Sequence, residues 1–405
     1  MIRSNCLICN SDNISQIIDL GVHSFADSFI TQQQIGQSEP IYPLKCFLCN
    51  ECGQVQTACV TDPHDRYNLY AYSYTSSNSA FSRNHWEHYA NEILEKLCID
   101  TGSFILEIGS NDGFLLNQFK TMGYIVLGVD PSDYMAKLAN NHGINTIVEL
   151  FNSDVGEQVM TTHGRPKLIV ANNVFNHSNN PVEFISTVNN ILDPQGSFVY
   201  ELPYWFDTIK SGRLDQIYHE HVSYFTMRSS KKLLQQADMV IIDVDFVDYH
   251  GGSIRVFAKK ASPDVKESEK VAKIIRDEME FGLFRLETYE SLMQATLQKR
   301  HLFLKTIYEI KSKGIPIVAV GAAAKGNTLL SFYKLDHTVI DYVTDTSPHK
   351  QGKYTPLTRI PICGDEIFSN YDEVYALILT WNIAHIIKPI LSRINPQIRF
   401  LEMPE

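Results

Sequence analysis

The sequence predicts an α/β protein of three units: a small cysteine-rich N-terminal unit, a central doubly wound sheet and a smaller C-terminal α/β unit. Five of the eight cysteines fall within the first 52 residues. Strand-like and helix-like segments then alternate, which is typical of a doubly wound sheet. A charged helical region from about Pro263 to Lys313 precedes a second set of strands. Because 405 residues exceed one compact core, two or three domains are expected.

Hydrophobic periodicity places the individual elements. Apolar residues recur at helical spacing within Ser82–Leu97, which predicts a helix there. The central strands are predicted at Phe104–Ile108, Ile125–Val129, Leu168–Ala171, Ser197–Glu201, Val240–Phe246 and Ser253–Ala258. Residues Tyr249–Gly252 are expected to join the last two strands as a hairpin. The C-terminal strands are predicted at Ile315–Val320, Val339–Val343 and Glu373–Thr380. We place the unit boundaries at residues 1–75, 76–285 and 286–405.

The bulk composition is that of an ordinary soluble globular chain, with 44% hydrophobic and 20% charged residues. The formal net charge of -11 opposes attraction to nucleic acid or to anionic membranes. No apolar run approaches the roughly 18 to 20 residues of a membrane span, and the N-terminus lacks a signal core. We therefore expect a cytoplasmic monomer with reduced thiols and with no nucleic-acid or membrane partner.

Two C-x2-C pairs, Cys6 with Cys9 and Cys49 with Cys52, predict a structural zinc site. Each pair places two thiolates on one tight turn, and two pairs complete a tetrahedral shell with Zn–S near ~2.3 Å. Such a closed shell leaves no position for a substrate. Cys46 with Cys49 is an alternative pair, and a metal-free cysteine cluster is an alternative to both. We also expect the N-terminal unit to hold too little apolar surface to fold without metal.

The loop after the first central strand predicts a site for an adenosyl cofactor. It reads Glu107-Ile108-Gly109-Ser110-Asn111-Asp112-Gly113, with glycines where backbone must approach a ligand closely. This spacing differs from the G-x-G-x-x-G of dinucleotide-binding folds, so an uncharged or cationic adenosyl ligand fits better than NAD. A purely structural strand-to-helix turn is the alternative explanation of the glycines.

Further cofactor contacts are predicted at the ends of the neighbouring strands. Asp130, followed by Pro131, ends the second strand and would accept both ribose hydroxyl protons. Leu150–Phe151 would enclose the adenine. Asn172–Asn173 follow a later strand and would line the pocket of the methyl donor.

The run Tyr218-His219-Glu220-His221 concentrates acid–base groups, because it holds two imidazoles, a carboxylate and a phenol in four residues. Beside an adenosyl cofactor, this composition indicates an enzyme that moves a methyl group onto an atom that must first lose a proton.

The order of motifs resembles that of a known family. The motifs are, along the chain, the two cysteine pairs, Tyr72–Ser77, Glu107–Gly113, Asn173-x3-His177, Phe206-Asp207, Asp215–His221, His250–Gly252, Val320–Lys325 and Asp345-Thr346-x-Pro348-x-Lys350. The chain is similar over essentially its full length to three-domain sugar C-methyltransferases, which methylate C3 of nucleotide-linked 4-keto deoxysugars. The resemblance implies a zinc-binding N-terminal domain, a central Rossmann-like S-adenosylmethionine domain and a C-terminal Rossmann-like domain that helps to hold the nucleotide sugar.

The resemblance also implies which residues surround the sugar. Carried over by motif, they are Tyr72, His177, Tyr218, Glu220 and His221. His219 occupies a variable position of the family pattern, and we expect it to face solvent. Cys46 stands where the family usually has an aliphatic residue, which favours Cys6, Cys9, Cys49 and Cys52 as the metal ligands.

The expected chemistry starts from a 4-keto-6-deoxyhexose linked to a nucleoside diphosphate. The ketone acidifies the C3 hydrogen, and His221 is assigned as the base because imidazole titrates near neutral pH. Glu220 would orient His221 or bind a sugar hydroxyl. Tyr72 or Tyr218 would donate a hydrogen bond to the enolate oxygen. His177 would line the same cavity.

The loop Gly321–Asn327 of the C-terminal unit is expected to meet phosphate, with a tight helix–sheet contact as the alternative. Other functions stay open at this point. They are an NAD-dependent nucleotide-sugar oxidoreductase, an O- or N-methyltransferase on a similar sugar, and a zinc-ribbon module that binds nucleic acid. The oxidoreductase is disfavoured because we expect no clearly placed acidic residue after the strand that follows Gly321.

Overall fold

The computed structural model describes residues 2–68, 75, 77, 79–249 and 251–403. Within them the chain forms three sheets of four, seven and five strands. No helix in this part of the chain is both long enough and apolar enough to cross a membrane.

The N-terminal sheet is antiparallel. Its strands from this unit are β1 (Ile14–His23), β2 (Tyr42–Cys49) and β3 (Val55–Thr57), and helix α1 (Pro63–Asn68) follows them. Hairpin pairing of β1 with β2 and of β2 with β3 makes most of the sheet. The cysteine pairs sit at the turns where these strands begin and end.

The central sheet follows the predicted alternation. Its strands are β4 (Phe104–Ile108), β5 (Ile125–Val129), β6 (Thr146–Ile147), β7 (Leu168–Asn172), β8 (Ser197–Pro203), β10 (Met239–Val247) and β11 (Ser253–Lys260). The order is β10-β11-β8-β7-β4-β5-β6, with β11 antiparallel to its neighbours and the pairs from β8 to β6 parallel. The predicted hairpin between the last two strands is confirmed.

Helices cover both faces of this sheet, so β4 is buried along its whole length, as expected of a central parallel strand. The helices are α2 (Ala80–Leu97), α3 (Phe114–Thr121), α4 (Asp133–Asn141), α5 (Ser153–His163), α6 (Pro181–Ile191), α7 (Trp205–Ser211) and α8 (Met227–Gln236). The side chain of Ser79 caps α2 by accepting the Ser82 N–H.

One short strand of the central segment joins the N-terminal sheet. This strand, β9 (Ser223–Tyr224), pairs with β3 through Gln56 and Val55. It lies directly after the Tyr218–His221 run. The Tyr218–His221 run therefore lies beneath the N-terminal unit. This position determines the orientation of its side chains.

The charged helical region forms two helices rather than one. They are α9 (Glu269–Phe281) and α10 (Leu286–Ser312). Gly282 ends α9 in the left-handed conformation, with φ of +86°, because glycine adopts that region without a Cβ penalty.

The C-terminal sheet is entirely parallel, in the order β14-β13-β12-β15-β16. Its elements are β12 (Ile317–Val320), α11 (Ala324–Tyr333), β13 (Tyr342–Thr344), β14 (Ile362–Cys363), β15 (Val374–Ile378), α12 (Ala384–Ile394) and β16 (Ile398–Glu402). The predicted strand from Val339 was placed too early. The Asp336 carboxylate accepts the Thr338 N–H at 2.8 Å and forms a turn there instead.

The N-terminal unit does not rely on its own apolar residues alone. Ile18, Leu44 and Leu48 belong to one buried cluster with Trp205 of α7 and with residues of α10 and the C-terminal sheet. The expectation of too little apolar surface counted the N-terminal segment in isolation. In the folded chain, that surface is supplied by the neighbouring units.

Glu278 of α9 ties three segments of the central unit together. Its carboxylate is fully buried and accepts the Tyr204 hydroxyl at 2.7 Å. It also accepts the backbone N–H groups of Met227 and Arg228, which open α8. A carboxylate at a helix N-terminus is favourable because it meets unsatisfied N–H groups and the positive end of the helix dipole.

Replacement of Glu278 by Leu is expected to lower the free energy of unfolding by about 3 kcal/mol, because buried donors lose their acceptor. Urea denaturation of the full chain measures this. Glu280→Leu, at an exposed position of the same helix, is the matched control. Equal denaturation midpoints for the two variants would contradict this role of Glu278.

Candidate active site

The glycine loop after β4 packs closely against the Val174 side chain and the end of β5. Gly109 has φ of +73°, and a Cβ at this position would lie 2.3 Å from Cγ2 of Val174. Its N–H donates to the Val129 carbonyl at 2.7 Å, which binds the loop to the end of β5. Gly113, with φ of +76°, then begins α3. Larger residues would push this loop away from the strand ends.

Three buried carboxylates surround the loop: Glu107, Asp112 and Asp130. Asp130 accepts the N–H groups of Asn111 at 2.8 Å and of Ser132 at 2.9 Å, one on each oxygen. Burial raises the pKa of Asp130 to about 6. Burial and the neighbouring Asp112 and Asp130 raise the pKa of Glu107 well above its usual range. A positively charged ligand would stabilise the ionised forms of these carboxyl groups, so the site favours such a ligand.

Glu107 Oε2 has no hydrogen-bond partner among the described residues. Ser77 donates both its N–H, at 3.2 Å, and its hydroxyl to Asp112. The residues that precede α2 therefore reach the cofactor loop. A buried acceptor without a partner, such as Glu107 Oε2, is unusual in a native protein and indicates a place for a ligand donor.

The remaining predicted cofactor residues lie along the same edge of the sheet. Asn172 ends β7, and both polar atoms of its side chain are buried next to Tyr89. Asn173 has φ of +53° and donates its N–H to the Glu201 carbonyl at 2.8 Å. The half-buried Phe151 packs edge-on against Phe184 of α6, with ring centroids 5.0 Å apart. Leu150 is exposed, and Pro131 is half-buried beside Asp130.

The Tyr218–His221 run is a buried loop that follows a short turn at Leu214–Gln216. The Gln216 carbonyl lies 2.8 Å from His221 Nδ1, and the Tyr218 hydroxyl lies 2.7 Å from Nε2. Because a carbonyl can only accept, Nδ1 carries the hydrogen. Nε2 therefore has the free lone pair and accepts the tyrosine O–H.

Burial keeps both histidines of this site neutral. Burial, together with Lys325 at the start of α11, lowers the pKa of His221 to about 3, although the hydrogen bond to the Gln216 carbonyl acts in the opposite direction. Burial, His221 and Arg66 hold the pKa of His177 well below its usual range. The two imidazole rings lie 5.1 Å apart between centroids. The pair therefore offers neutral nitrogen bases at physiological pH.

Glu220 faces the N-terminal unit. Its Oε1 accepts the Asp27 N–H at 3.3 Å, and burial raises the pKa of Glu220 to about 7. Its Oε2 has no hydrogen-bond partner among the described residues. This carboxyl group can therefore accept or donate a hydrogen bond near neutral pH.

The prediction that His219 faces solvent was wrong. His219 is 2% exposed, and its Nε2 lies 3.3 Å from the Pro43 carbonyl. Its ring packs edge-on against Phe25 and Tyr42, at centroid distances of 6.2 and 5.7 Å. The pairing of β9 with β3 carries this loop beneath the N-terminal sheet, and only the tertiary structure shows this.

Contacts that the sequence did not predict hold the loop from both sides. Arg66 donates to the His177 carbonyl at 2.7 Å. The Trp381 indole N–H donates to Asp215 at 2.8 Å, and the Arg213 guanidinium lies 3.6 Å above the Trp381 ring. Residues from all three units thus meet at this loop. Tyr72, the remaining predicted residue, lies outside the described part of the chain.

The four predicted cysteine ligands come together. The Sγ atoms of Cys6, Cys9, Cys49 and Cys52 lie within 4.8 Å of one another, and the pairs Cys6–Cys52 and Cys9–Cys49 are each separated by 3.5 Å. A tetrahedral four-thiolate zinc shell has S–S distances of about 3.8 Å. The residues therefore fit zinc. Cys46 is buried in a different cluster, so the alternative pair is not formed.

The C-terminal unit repeats the loop geometry of the central unit. Asp345 accepts the N–H groups of Ala322 at 3.0 Å and Ser347 at 2.8 Å, as Asp130 does in the central unit. The expectation that no acidic residue is clearly placed after the strand that follows Gly321 was therefore wrong. Here, however, Lys350 Nζ lies 3.7 Å from Asp345 and donates to the Ala322 carbonyl at 2.6 Å.

A surface groove of about 970 Å³ lies over edge strand β10 between α2 and α9. None of the predicted site residues lines it. Its walls carry charges that pair with one another, such as Lys96 and Lys270 with Asp245.

Comparison with known proteins bears on the whole chain. C-methyltransferase NovU of Streptomyces niveus is 31% identical over 379 residues, which cover 94% of this chain and 90% of that protein. The chain belongs to the C-methyltransferase family. Three family profiles match it, with the descriptions "Putative zinc binding domain" (6–67), "Methyltransferase domain" (81–244) and "C-methyltransferase C-terminal domain" (248–397).

Solved structures match this C-methyltransferase over about half of its length. One is magnesium protoporphyrin IX methyltransferase from Synechocystis with bound SAM, at 12% identity and a TM-score of 0.37, covering 51% of this chain and all of that one. Another is an S-adenosylmethionine-dependent methyltransferase from Clostridium acetobutylicum, at 13% identity and a TM-score of 0.36, covering 49% and 96%.

The C-methyltransferase uses S-adenosylmethionine as methyl donor, and its N-terminal unit binds zinc. The residues present fit both groups. The sulfonium and ammonium of the donor carry the positive charge that Glu107, Asp112 and Asp130 favour. The donor supplies a methyl group bound to positively charged sulfur. A nucleophile readily attacks the carbon of that methyl group.

Elemental analysis of the purified C-methyltransferase is expected to find about one zinc per chain. Cys9→Ser and Cys52→Ser should each lose most of it, because three thiolates leave the tetrahedral shell open. Cys46→Ala is the control and should retain the metal. Equal zinc content in all three variants would place the metal elsewhere.

Proposed function

We propose that this C-methyltransferase transfers the methyl group to C3 of a nucleotide-linked 4-keto-6-deoxyhexose, through an enolate that His221 forms. The observation that carries the proposal is the hydrogen bonding of His221. Its Nδ1–H is held by the Gln216 carbonyl, and its Nε2 lone pair faces the Tyr218 hydroxyl at 2.7 Å. A carbon atom must lose a proton before it can accept a methyl group, and a neutral imidazole nitrogen is suited to remove it.

Tyr218 serves as the donor to the substrate ketone. Its hydroxyl donates to Nε2 of His221. A ketone that enters this site would take that hydroxyl as its hydrogen-bond donor, which leaves Nε2 directed at the adjacent C–H. The donated hydrogen bond strengthens as charge develops on the enolate oxygen, so it favours the transition state over the ketone.

The diphosphate of the substrate adjusts the basicity of His221. The low pKa of His221, about 3, follows from burial, to which the nearby Lys325 cation adds. A bound diphosphate brings negative charge that offsets Lys325 and raises the pKa of His221 in the complex. Proton removal is therefore favoured only when the correct substrate is in place.

A keto sugar with hydroxyl groups also suits Glu220. Its Oε2 is buried without a partner among the described residues and can accept a hydrogen bond from a sugar hydroxyl.

The division into units 1–75, 76–285 and 286–405 stays a prediction, as do the roles of Tyr72 and His177.

His221→Ala is expected to lower kcat by ~10² to 10⁴-fold, because the base is removed. Cofactor affinity, measured by calorimetry, should not change. His88→Ala, on an exposed part of α2, is the control and should retain full activity.

Hydrogen–deuterium exchange at C3 of the sugar, measured by mass spectrometry without methyl donor, tests the enolate itself. Exchange should occur with the unmodified enzyme and not with His221→Ala. Turnover without any C3 exchange would favour an O- or N-methyltransferase, and a near-normal rate of His221→Ala would assign the base to another group.

The pH dependence of kcat should report on Glu220. Its raised pKa, about 7, means that the carboxylate is fully formed only above that pH. As an acceptor for a sugar hydroxyl it acts in the carboxylate form, so activity should rise as pH increases through about 7. Glu220→Gln should remove this rise. An unchanged profile in that variant would exclude Glu220 as its origin.

A further inference from the structure

A small cavity lies next to Tyr218, at the junction of the three units. Six of its nine lining residues carry polar side chains, and the lining comes from each unit in turn: His23, Ser24, Ala26 and Leu44 of the N-terminal unit, Tyr218 of the central loop, and Asn327, Thr328, Ser331 and Pro356 of the C-terminal unit. The cavity therefore exists only when the whole chain is folded.

Two polar atoms at this cavity are buried without a hydrogen-bond partner among the described residues, Ser24 Oγ and Asn327 Oδ1. The residues are 5% and 3% exposed. Asn327 uses its Nδ2 to donate to the Ala26 carbonyl at 2.6 Å, which leaves Oδ1 as an unused acceptor. Buried polar groups are nearly always satisfied, and a polar cavity with such groups is where an ordered water binds.

The proposed reaction creates a need for a proton exit at this point. His221 gains one proton for each methyl group transferred and must lose it before the next turnover. Its Nδ1 already donates to the Gln216 carbonyl, which cannot take a proton. The proton therefore leaves from Nε2, and the group at hydrogen-bond distance from Nε2 is the Tyr218 hydroxyl.

We propose that water in this cavity carries the proton from His221 to solvent by way of Tyr218. The Nε2–H bond breaks as the Tyr218 oxygen takes that proton, and the original hydroxyl proton of Tyr218 passes to the cavity water. Tyr218 is neutral before and after, His221 returns to its neutral form, and one proton is released for each methyl transferred. This inference rests on the proposed function, since it needs His221 as the base.

Ser24→Val and Ser24→Thr form the matched test pair. Valine fills the cavity and lacks a hydroxyl, whereas threonine adds nearly the same volume and keeps one. Both variants are used as full-length zinc-loaded enzyme, after melting temperature and zinc content confirm folding. Rapid-quench kinetics with saturating methyl donor and keto sugar then separate the first turnover from later ones.

For Ser24→Val, the first equivalent of methylated product should form at the normal rate. Later turnovers should slow by about tenfold or more, because His221 stays protonated. Added imidazole should return the rate of the later turnovers to normal, because it can take the proton from His221. Ser24→Thr should behave like the unmodified enzyme. In the absence of methyl donor, Ser24→Val should also retain deuterium at C3 of a labelled substrate, because the proton on His221 returns to carbon.

Three results would overturn the relay. The first is a steady-state rate for Ser24→Val equal to that of Ser24→Thr. The second is an equal slowing of the first and later turnovers in Ser24→Val, which would indicate a positioning role of Ser24. The third is that Glu220→Gln, and not Ser24→Val, shows the fast first turnover followed by slow ones, which would route the proton through Glu220. Full first-turnover activity of His221→Ala is a separate outcome, since it rejects the proposed function itself.

Discussion

The hydrogen bond between His221 Nδ1 and the Gln216 carbonyl is the constraint on which the site depends. It fixes the tautomer and the ring orientation, so that the lone pair of Nε2 is presented on the side of Tyr218 and His177. The carbonyl is placed by the Leu214–Gln216 turn, and that turn is held by Trp381 through Asp215. The hydrogen bond between Gln216 and His221 thus depends on Trp381 of the C-terminal unit.

The three units share structure rather than merely adjoining one another. Strand β9 of the central segment completes the N-terminal sheet, and one hydrophobic cluster runs from Ile18 through Trp205 to the C-terminal sheet. The zinc-ligand cysteines Cys6 and Cys52 belong to the buried cluster of the central sheet. Loss of the metal would therefore disturb packing beneath the methyltransferase core as well as the N-terminal turns.

Features fixed by local pattern were predictable from sequence, and features fixed by long-range pairing were not. Strands β4 and β5 were located to the residue, since buried parallel strands are continuous apolar runs between turn residues. The cysteine cluster followed from the spacing of the two C-x2-C pairs, and the family resemblance favoured Cys49 with Cys52 over the pair that includes Cys46. The burial of His219 depends on the pairing of β9 with β3, which short apolar segments do not reveal. The place of Asp345 directly after β13 was not recognised, because the strand was predicted at Val339–Val343 and runs from Tyr342 to Thr344.

The two glycine loops of the chain differ in one internal charge. Both present an aspartate that binds loop N–H groups, yet only Asp345 has a lysine of the same chain beside it. Lys350 balances the negative charge of Asp345, so the C-terminal crevice gains less from binding a cation. The two crevices therefore present different charges to a ligand that bears ammonium and sulfonium groups, although their aspartates bind loop N–H groups alike.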